Sequence, residues 1–259
     1  MAKGKSTDRG PRRLWSSAPP TYEIPIRTRE GLYKTLAFQS MRPIREWREY
    51  AAEHTTEADF IKAIGVSDFV ALDWDNPQRA PRMELIEEFV NAAIVDLPNK
   101  TITARVRTHT VTVDPTVIHE VLKLPFGITI QPIDPAEYPP SRFEEYFAAG
   151  KTAEGYSICH CKPEHHRRLT AFIQGLGFKR KTTYISKEML DVVCTVETLI
   201  NRAMQWDWAT WMFNSIAIDI KTMQTTKTTI CPSAKVLDFL LESYFPSTDQ
   251  EYAHQTVAQ

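Results

Sequence analysis

Residues with metal-ligand chemistry crowd the segment CHCKPEHH, which contains Cys159, His160, Cys161, His165 and His166. Thiolate sulphur and imidazole nitrogen are the ligands that structural zinc prefers. The spacing is unlike that of zinc knuckles, because a single residue separates the two cysteines and no second Cys/His pair lies at a standard distance. We therefore expect no metal and no cofactor here, and interpret the segment as a partly solvated helix entry. A zinc site completed by Cys194 or Cys231 is the alternative.

The stretch from Lys162 to Lys187 carries cations that could meet the phosphates of nucleic acid, and only Glu164 opposes them. The candidate nucleic-acid-binding residues are Lys162, Arg167, Arg168, Lys179, Arg180 and Lys181. Such contacts bind the phosphate backbone without reading base sequence. The interleaved Phe172, Phe178 and Tyr184 could stack on bases. The alternative is that these aromatic residues belong to the core and the cations form a solvated face.

Carboxylates near the middle of the chain suggest a different chemistry, metal-dependent phosphoryl transfer. The acidic residues concerned are Asp73, Asp75, Glu84, Glu87 and Glu88. Sites of this kind stand at strand ends of a parallel or mixed sheet, and the surrounding pattern predicts no such sheet. Glu87 and Glu88 also suit the solvent side of a helix whose other side carries apolar residues. We therefore predict no catalytic residues from this group.

Composition and motifs narrow the class of protein further. The chain has 259 residues and a formal net charge of -1, so only local charge asymmetry supports a nucleic-acid or acidic partner. It contains no nucleophile elbow, no Walker loop and no dinucleotide-binding glycine fingerprint. No apolar run reaches the roughly 20 residues that cross a bilayer. We expect an intracellular protein, nuclear or cytoplasmic, with free thiols and no contact with a membrane.

Apolar residues recur every three or four positions over much of the chain, which predicts a mainly α, multi-helix globular domain. In the first half, the helical stripes are Leu32, Leu36 and Phe38; Ile44, Trp47 and Tyr50 behind Pro43; Phe60, Ile61 and Ile64 between a cap at Thr56 and an end near Gly65; a short helix from Ser67; and a helix from Met83 to about Asp96. Alternation of β-branched residues then predicts a small hairpin of 102–106 and 110–113. Asp114 and Pro115 begin the next helix as cap and first residue.

The second half is predicted to be helical again. The expected helices are 143–149, 163–176, two helices from Ser186 to about Met223 with Asp207 capping the second, and a last one opened by Cys231-Pro232 and closed by Pro246. We interpret Trp206, Trp208 and Trp211 as core residues, because indoles bury large areas. A groove for a partner is the alternative.

Prolines and charge divide the chain into segments. We predict a disordered basic tail over 1–28, a helical half with the hairpin over 29–124, a proline-rich connector over 125–141, a second helical half over 142–246 and a frayed tail over 247–259. The two halves form one domain or pack closely together.

A block of segments resembles a known family. It consists of MELIEEFVNAA, then ARVRTHTVTV, then DPTVIHEVLKLP, and a later piece, MQWDWATWMFNSIAIDI, precedes an apolar helix opened by proline. This order resembles the plant transposon protein domain of retroelement-derived plant open reading frames, although Thr108 stands where the family usually has glycine. The resemblance covers about Ile44 to Phe245. It implies a mobile-element origin and supplies no catalytic residues.

These observations favour a non-enzymatic, mobile-element-derived binding module that contacts DNA or RNA through its basic segment. Another protein, or a second copy of the chain, is the next partner to consider. Two other classes stay open: a metal-dependent nuclease or integrase-like enzyme, and a capsid-like self-assembling protein.

Overall fold

The computed structural model describes residues 37–38, 40–74, 80–127, 142–148, 156–177, 184–226 and 230–246. The fold is predominantly α-helical with a small antiparallel sheet, as the apolar periodicity predicts. The helices are α1 (Arg42–Glu53), α2 (Thr55–Ala63), α3 (Ser67–Ala71), α4 (Met83–Ala92), α5 (Pro115–Leu122), α6 (Arg142–Tyr146), α7 (Pro163–Thr170), α8 (Lys187–Asn201), α9 (Trp208–Thr225) and α10 (Ala234–Glu242). None of them, within this described part of the chain, combines the length and apolar character that crossing a membrane requires.

The strands are short and fall into three groups. They are β1 (Ala37–Phe38), β2 (Ile94–Asp96), β3 (Thr101–Val106), β4 (His109–Val113), β5 (Tyr156–Ser157), β6 (Tyr184–Ile185) and β7 (Ile230–Cys231). The antiparallel sheet has the order β2-β3-β4, β5 pairs antiparallel with β6, and β1 pairs parallel with β7. The hairpin predicted near 102–113 is therefore confirmed, and β2 adds a third strand to it.

Several helix starts follow from local chemistry, as predicted. The Asp114 side chain accepts a hydrogen bond of 2.9 Å from the Val117 backbone N–H, directly ahead of Pro115. Asp207 caps α9 by accepting from the Thr210 N–H at 3.0 Å. Each acceptor satisfies an N–H group that has no partner inside its helix.

Several predicted boundaries are wrong. Helix α6, predicted over 143–149, ends at Tyr146. Phe38, predicted to end the first helix, lies in β1, which pairs with β7 from the far end of the chain. The rest of that predicted helix, with Leu32 and Leu36, lies outside the described residues. The helix from Met83 ends at Ala92, because Ile94–Asp96 pairs with β3 instead of continuing helically. Helix α2 begins at Thr55, so Thr56 lies inside the helix and is not its cap. Cys231 belongs to β7, and α10 begins only at Ala234. Where a strand replaces the predicted helix, pairing with another strand outweighs the local pattern, and for β1 and β7 that partner lies at the opposite end of the chain.

One hydrophobic core takes residues from both halves of the chain. Its largest fully buried members include Trp47, Trp74 and Trp208. The Trp208 indole N–H donates to the Ile64 carbonyl at 2.7 Å, and that of Trp211 donates to the Leu176 carbonyl at 3.2 Å. Trp206 and Trp208 are therefore buried in the core, as the sequence predicts, and the half-buried Trp211 packs against it. The indole N–H groups of Trp208 and Trp211 tie α9 to other elements.

Candidate nucleic-acid interface and the adjoining polar cluster

Helix α7 carries two of the six predicted phosphate ligands, Arg167 and Arg168, and Lys162 directly precedes it. Neighbouring elements fix the position of the helix. The Lys162 backbone N–H donates to the Tyr146 carbonyl at 2.9 Å, which holds the start of α7 against the end of α6. The helix begins with Pro163 in its first turn and continues directly into a π-helical segment, Ala171–Leu176. Leu169 and most of the π-helical side chains are buried in the core. The outer face of α7 is thereby left to polar residues.

Arg168 faces inward and is enclosed by carboxylates. Its Nη2 and Nε lie 2.7 and 2.9 Å from the two carboxylate oxygens of Glu57, and its Nη1 lies 3.2 Å from Glu197. The guanidinium carbon lies 3.7 Å from the centre of the Phe60 ring. With 11% of its side chain exposed, Arg168 links α2, α7 and α8. Its donors are engaged within the protein, so it has little capacity left for a phosphate.

Arg167, the residue before it, points outward. Its guanidinium carbon lies 4.8 Å from the centre of the Tyr50 ring on α1, and Tyr50 stacks in turn on His54 with 3.8 Å between ring centres. Arg167 and His54 are both exposed. The three side chains therefore form a layered cation–aromatic stack on the surface, which we call the α1/α7 stack.

The remaining predicted ligands divide into described and undescribed residues. Lys162 is half-buried at the start of α7. Lys179, Arg180 and Lys181 lie outside the described residues. Their segment leaves the described structure after Gly177 and rejoins it at Tyr184, which pairs with Ser157 just ahead of α7. The structure thus separates the inward-facing Arg168 from the exposed Arg167, and it places Lys162 at the N-terminal cap of the same helix.

Of the interleaved aromatic residues, Phe172 belongs to the core and cannot stack on bases. It is 1% exposed and packs edge-on against Trp47 and Trp208, with ring centres 5.9 and 5.6 Å away. Tyr184 is 36% exposed on β6. Phe178 lies outside the described residues.

Behind Arg168 lies a polar cluster that no sequence motif indicates. The Trp47 indole N–H donates to Glu57 at 2.6 Å, and the Tyr146 hydroxyl hydrogen-bonds with Glu197. Burial raises the pKa of the Tyr146 hydroxyl, and the Glu197 charge raises it further. The sequence pattern does indicate that Glu57 faces the core, because it shares one helix stripe with Phe60, Ile61 and Ile64. No local pattern marks Glu197 or Tyr146 as its companions.

His165 lies between this cluster and the surface. Its ring centre is 4.7 Å from that of Tyr146, and its Nδ1 is buried without a hydrogen-bond partner in the described structure. Burial and then the positive charge of Arg168 lower the pKa of His165, and nearby carboxylates offset this only in part. His165 is therefore neutral at pH 7 and adds nothing to the positive charge of the outer face.

The residues considered as zinc ligands do not come together as a metal site in the described part of the chain. Cys159 is exposed and Cys161 is half-buried, and burial together with Glu164 raises the pKa of the Cys161 thiol to about 11. No three His, Cys, Asp or Glu side chains in the described ranges are arranged to hold a metal ion.

The carboxylates proposed for metal-dependent catalysis do not form a described site either. Asp73 and Glu84 are exposed, Asp75 lies outside the described residues, and Glu88 accepts a hydrogen bond from the Arg107 backbone N–H. Glu88, on α4, therefore supports the hairpin turn between β3 and β4.

Comparisons of the chain with protein-family models, with curated proteins and with solved structures gave no match.

Proposed function

We propose that this protein is a non-enzymatic binding module of mobile-element origin that contacts nucleic acid through the outer face of α7 and the basic residues that follow it. The α1/α7 stack is the observation that carries the proposal. It presents Arg167 as an exposed guanidinium on the ring of Tyr50, with His54 beyond it. The mobile-element origin comes from the family resemblance alone.

The stack suits nucleic acid for two physical reasons. A guanidinium is planar and carries its N–H donors at the edge, so it can stack on a ring and still donate to a phosphate. Bases also stack on aromatic and guanidinium faces, and this contact tolerates any base because each has a π-face. Binding by this surface would therefore depend on charge and stacking, with little sequence preference.

The structure changes the set of residues in the proposal. Arg168 leaves it, because its guanidinium is bound to Glu57 and Glu197. The proposed contact residues are Lys162, Arg167, Lys179, Arg180 and Lys181, and the stacking surfaces are His54 and the outer face of the Arg167 guanidinium, with Tyr50 between them.

Fluorescence anisotropy with labelled single-stranded and double-stranded oligonucleotides over a range of salt concentrations tests the proposal. We expect the binding constant to fall as salt rises, with a log–log slope of about -0.7 to -0.9 for each phosphate contacted. Arg167→Glu and the triple change of Lys179, Arg180 and Lys181 to Glu should each weaken binding and reduce that slope. Lys62→Glu is the matched control, because Lys62 is an exposed cation on α2 outside this face.

Equal binding by the wild type, Arg167→Glu and the triple variant would refute the proposal. Strand cleavage that requires Mg²⁺ in the same samples would favour the enzyme class instead. Particles that grow with protein concentration in light scattering would favour the assembly class.

A further inference from the structure

An open cleft of about 300 Å³ lies on the inner side of α7, between α2, α6 and α8. The residues that line it are Phe60, Glu145, Tyr146, His165, Glu197, Ile200 and Asn201. Its volume is at the lower end of the range for small-molecule sites. The cleft is separate from the α1/α7 stack, because His165 and Arg167 leave α7 on different sides.

The charge around the cleft is negative. Glu57, Glu145 and Glu197 contribute three carboxylates in and behind its wall, and Arg168 is the guanidinium that pairs with two of them. Glu145 is exposed at the rim, whereas the Glu197 side chain is only 12% exposed. A neutral His165 leaves this excess of negative charge in place at pH 7. A cation entering the cleft therefore meets a favourable field.

The wall of the cleft already binds one organic cation, the protein's own Arg168. Its guanidinium packs on the Phe60 ring at 3.7 Å and hydrogen-bonds with Glu197 at 3.2 Å. Both of these residues also line the cleft. An aromatic face beside carboxylate oxygens is the arrangement that recognises guanidinium and ammonium groups in general.

We propose that this cleft binds a small organic monocation, a guanidinium or primary ammonium group on a compact apolar body. The cationic head lies between Glu145 and Glu197, where the Asn201 side-chain amide can add an acceptor. The apolar body packs on Ile200 and Phe60. The ligand class is opposite in charge to the polyanion of the proposed function, so the two surfaces of α7 have different partners.

Isothermal titration calorimetry with phenylguanidine and benzylamine, and with benzyl alcohol as a neutral compound of similar shape, tests this site. A ligand of this size with two or three good contacts should bind with a dissociation constant of roughly 1 mM. Glu145→Gln removes one charge at the rim without disturbing the core, and should weaken binding about two- to fivefold. Glu144→Gln is the matched control, because Glu144 is exposed on the same helix and does not line the cleft.

A second variant, Asn201→Arg, places a permanent cation at the rim and should weaken binding more than Glu145→Gln does. The site is refuted if benzyl alcohol binds as tightly as benzylamine, or if Glu145→Gln and Glu144→Gln bind the cations equally well. It is also refuted if neither cation binds at a concentration of roughly 10 mM, 10-fold the expected dissociation constant. Oligonucleotide binding by Glu145→Gln should equal that of the wild type. Failure of the cation site therefore leaves the nucleic-acid proposal standing, and the reverse also holds.

Discussion

Replacement of Arg168 by Met tests whether this residue is part of the internal framework or of a phosphate-binding face. Methionine keeps much of the side-chain volume and removes the charge. The change leaves the Glu57 carboxylate, whose side chain is 6% exposed, with the Trp47 N–H but without its guanidinium partner. Glu197, 12% exposed, loses the same partner.

The expected loss of stability follows from that burial. Removing one partner of a buried ion pair costs about 3–5 kcal/mol, because an uncompensated charge stays in the interior. The cation–π contact with Phe60 is lost in the same step. Total stability of a domain is about 5–15 kcal/mol, so the variant loses a large part of it. Its melting temperature should fall by roughly 10 °C, at about 2–4 °C per kcal/mol for a chain of this size.

Urea unfolding at pH 7, followed by circular dichroism, measures the difference. The matched control is Arg167→Met, which removes the neighbouring and exposed guanidinium. It should cost less than about 1 kcal/mol, the worth of an exposed cation–π contact. In the Arg168→Met background, Glu57→Gln should recover part of the loss, because it neutralises the stranded carboxylate. The reasoning fails if Arg168→Met costs no more than Arg167→Met.

Three further predictions concern pH, close packing and a helix cap. The pKa of His165 is lower in the folded protein than in the unfolded chain, so the unfolded chain takes up a proton at a higher pH. The free energy of unfolding should therefore decrease as the pH falls below about 6.5. In urea titrations, His165→Gln should reduce this pH dependence and His166→Gln should not. Gly175→Ala should lower the free energy of unfolding by about 1–3 kcal/mol, because the new Cβ would lie 2.3 Å from Ile44 Cδ1. In a double-mutant cycle, Ile44→Ala should destabilise the Gly175→Ala variant less than it destabilises the wild type. Asp114→Ala should lower the unfolding free energy by about 1 kcal/mol in the same urea assay, through loss of the cap on α5.

Much of the secondary structure could be predicted from neighbouring residues. Asp114 followed by Pro115 begins α5 where predicted, because the cap and the first-turn proline act within a few residues of each other. The hairpin of β3 and β4 follows from alternating β-branched residues. The helical pattern from Met83 predicts a helix through Ile94–Asp96. This segment forms a strand instead, because β3 supplies an edge with which it pairs. The strand containing Phe38 could not be predicted either, because its partner is β7 at the other end of the chain.

The candidate site was predictable only in part. The sequence identifies the cations of 162–187 and the lack of opposing acid, and these are the observations behind the nucleic-acid hypothesis. The cleft on the inner side of α7 has no sequence motif, because α2, α6, α7 and α8 each contribute a part of its wall.

The sequence by itself determined the helical class, the hairpin, the capped helix starts and the presence of a basic segment, because each depends on residues close together along the chain. The tertiary structure alone decided what the individual cations do. Arg167 and Arg168 are neighbours in sequence, yet successive residues on a helix point about 100° apart, so one faces solvent and the other faces Glu57, which lies 111 positions away along the chain. Only the folding of α2 and α8 against α7 brings those carboxylates to Arg168, and with them the negative cleft beside it.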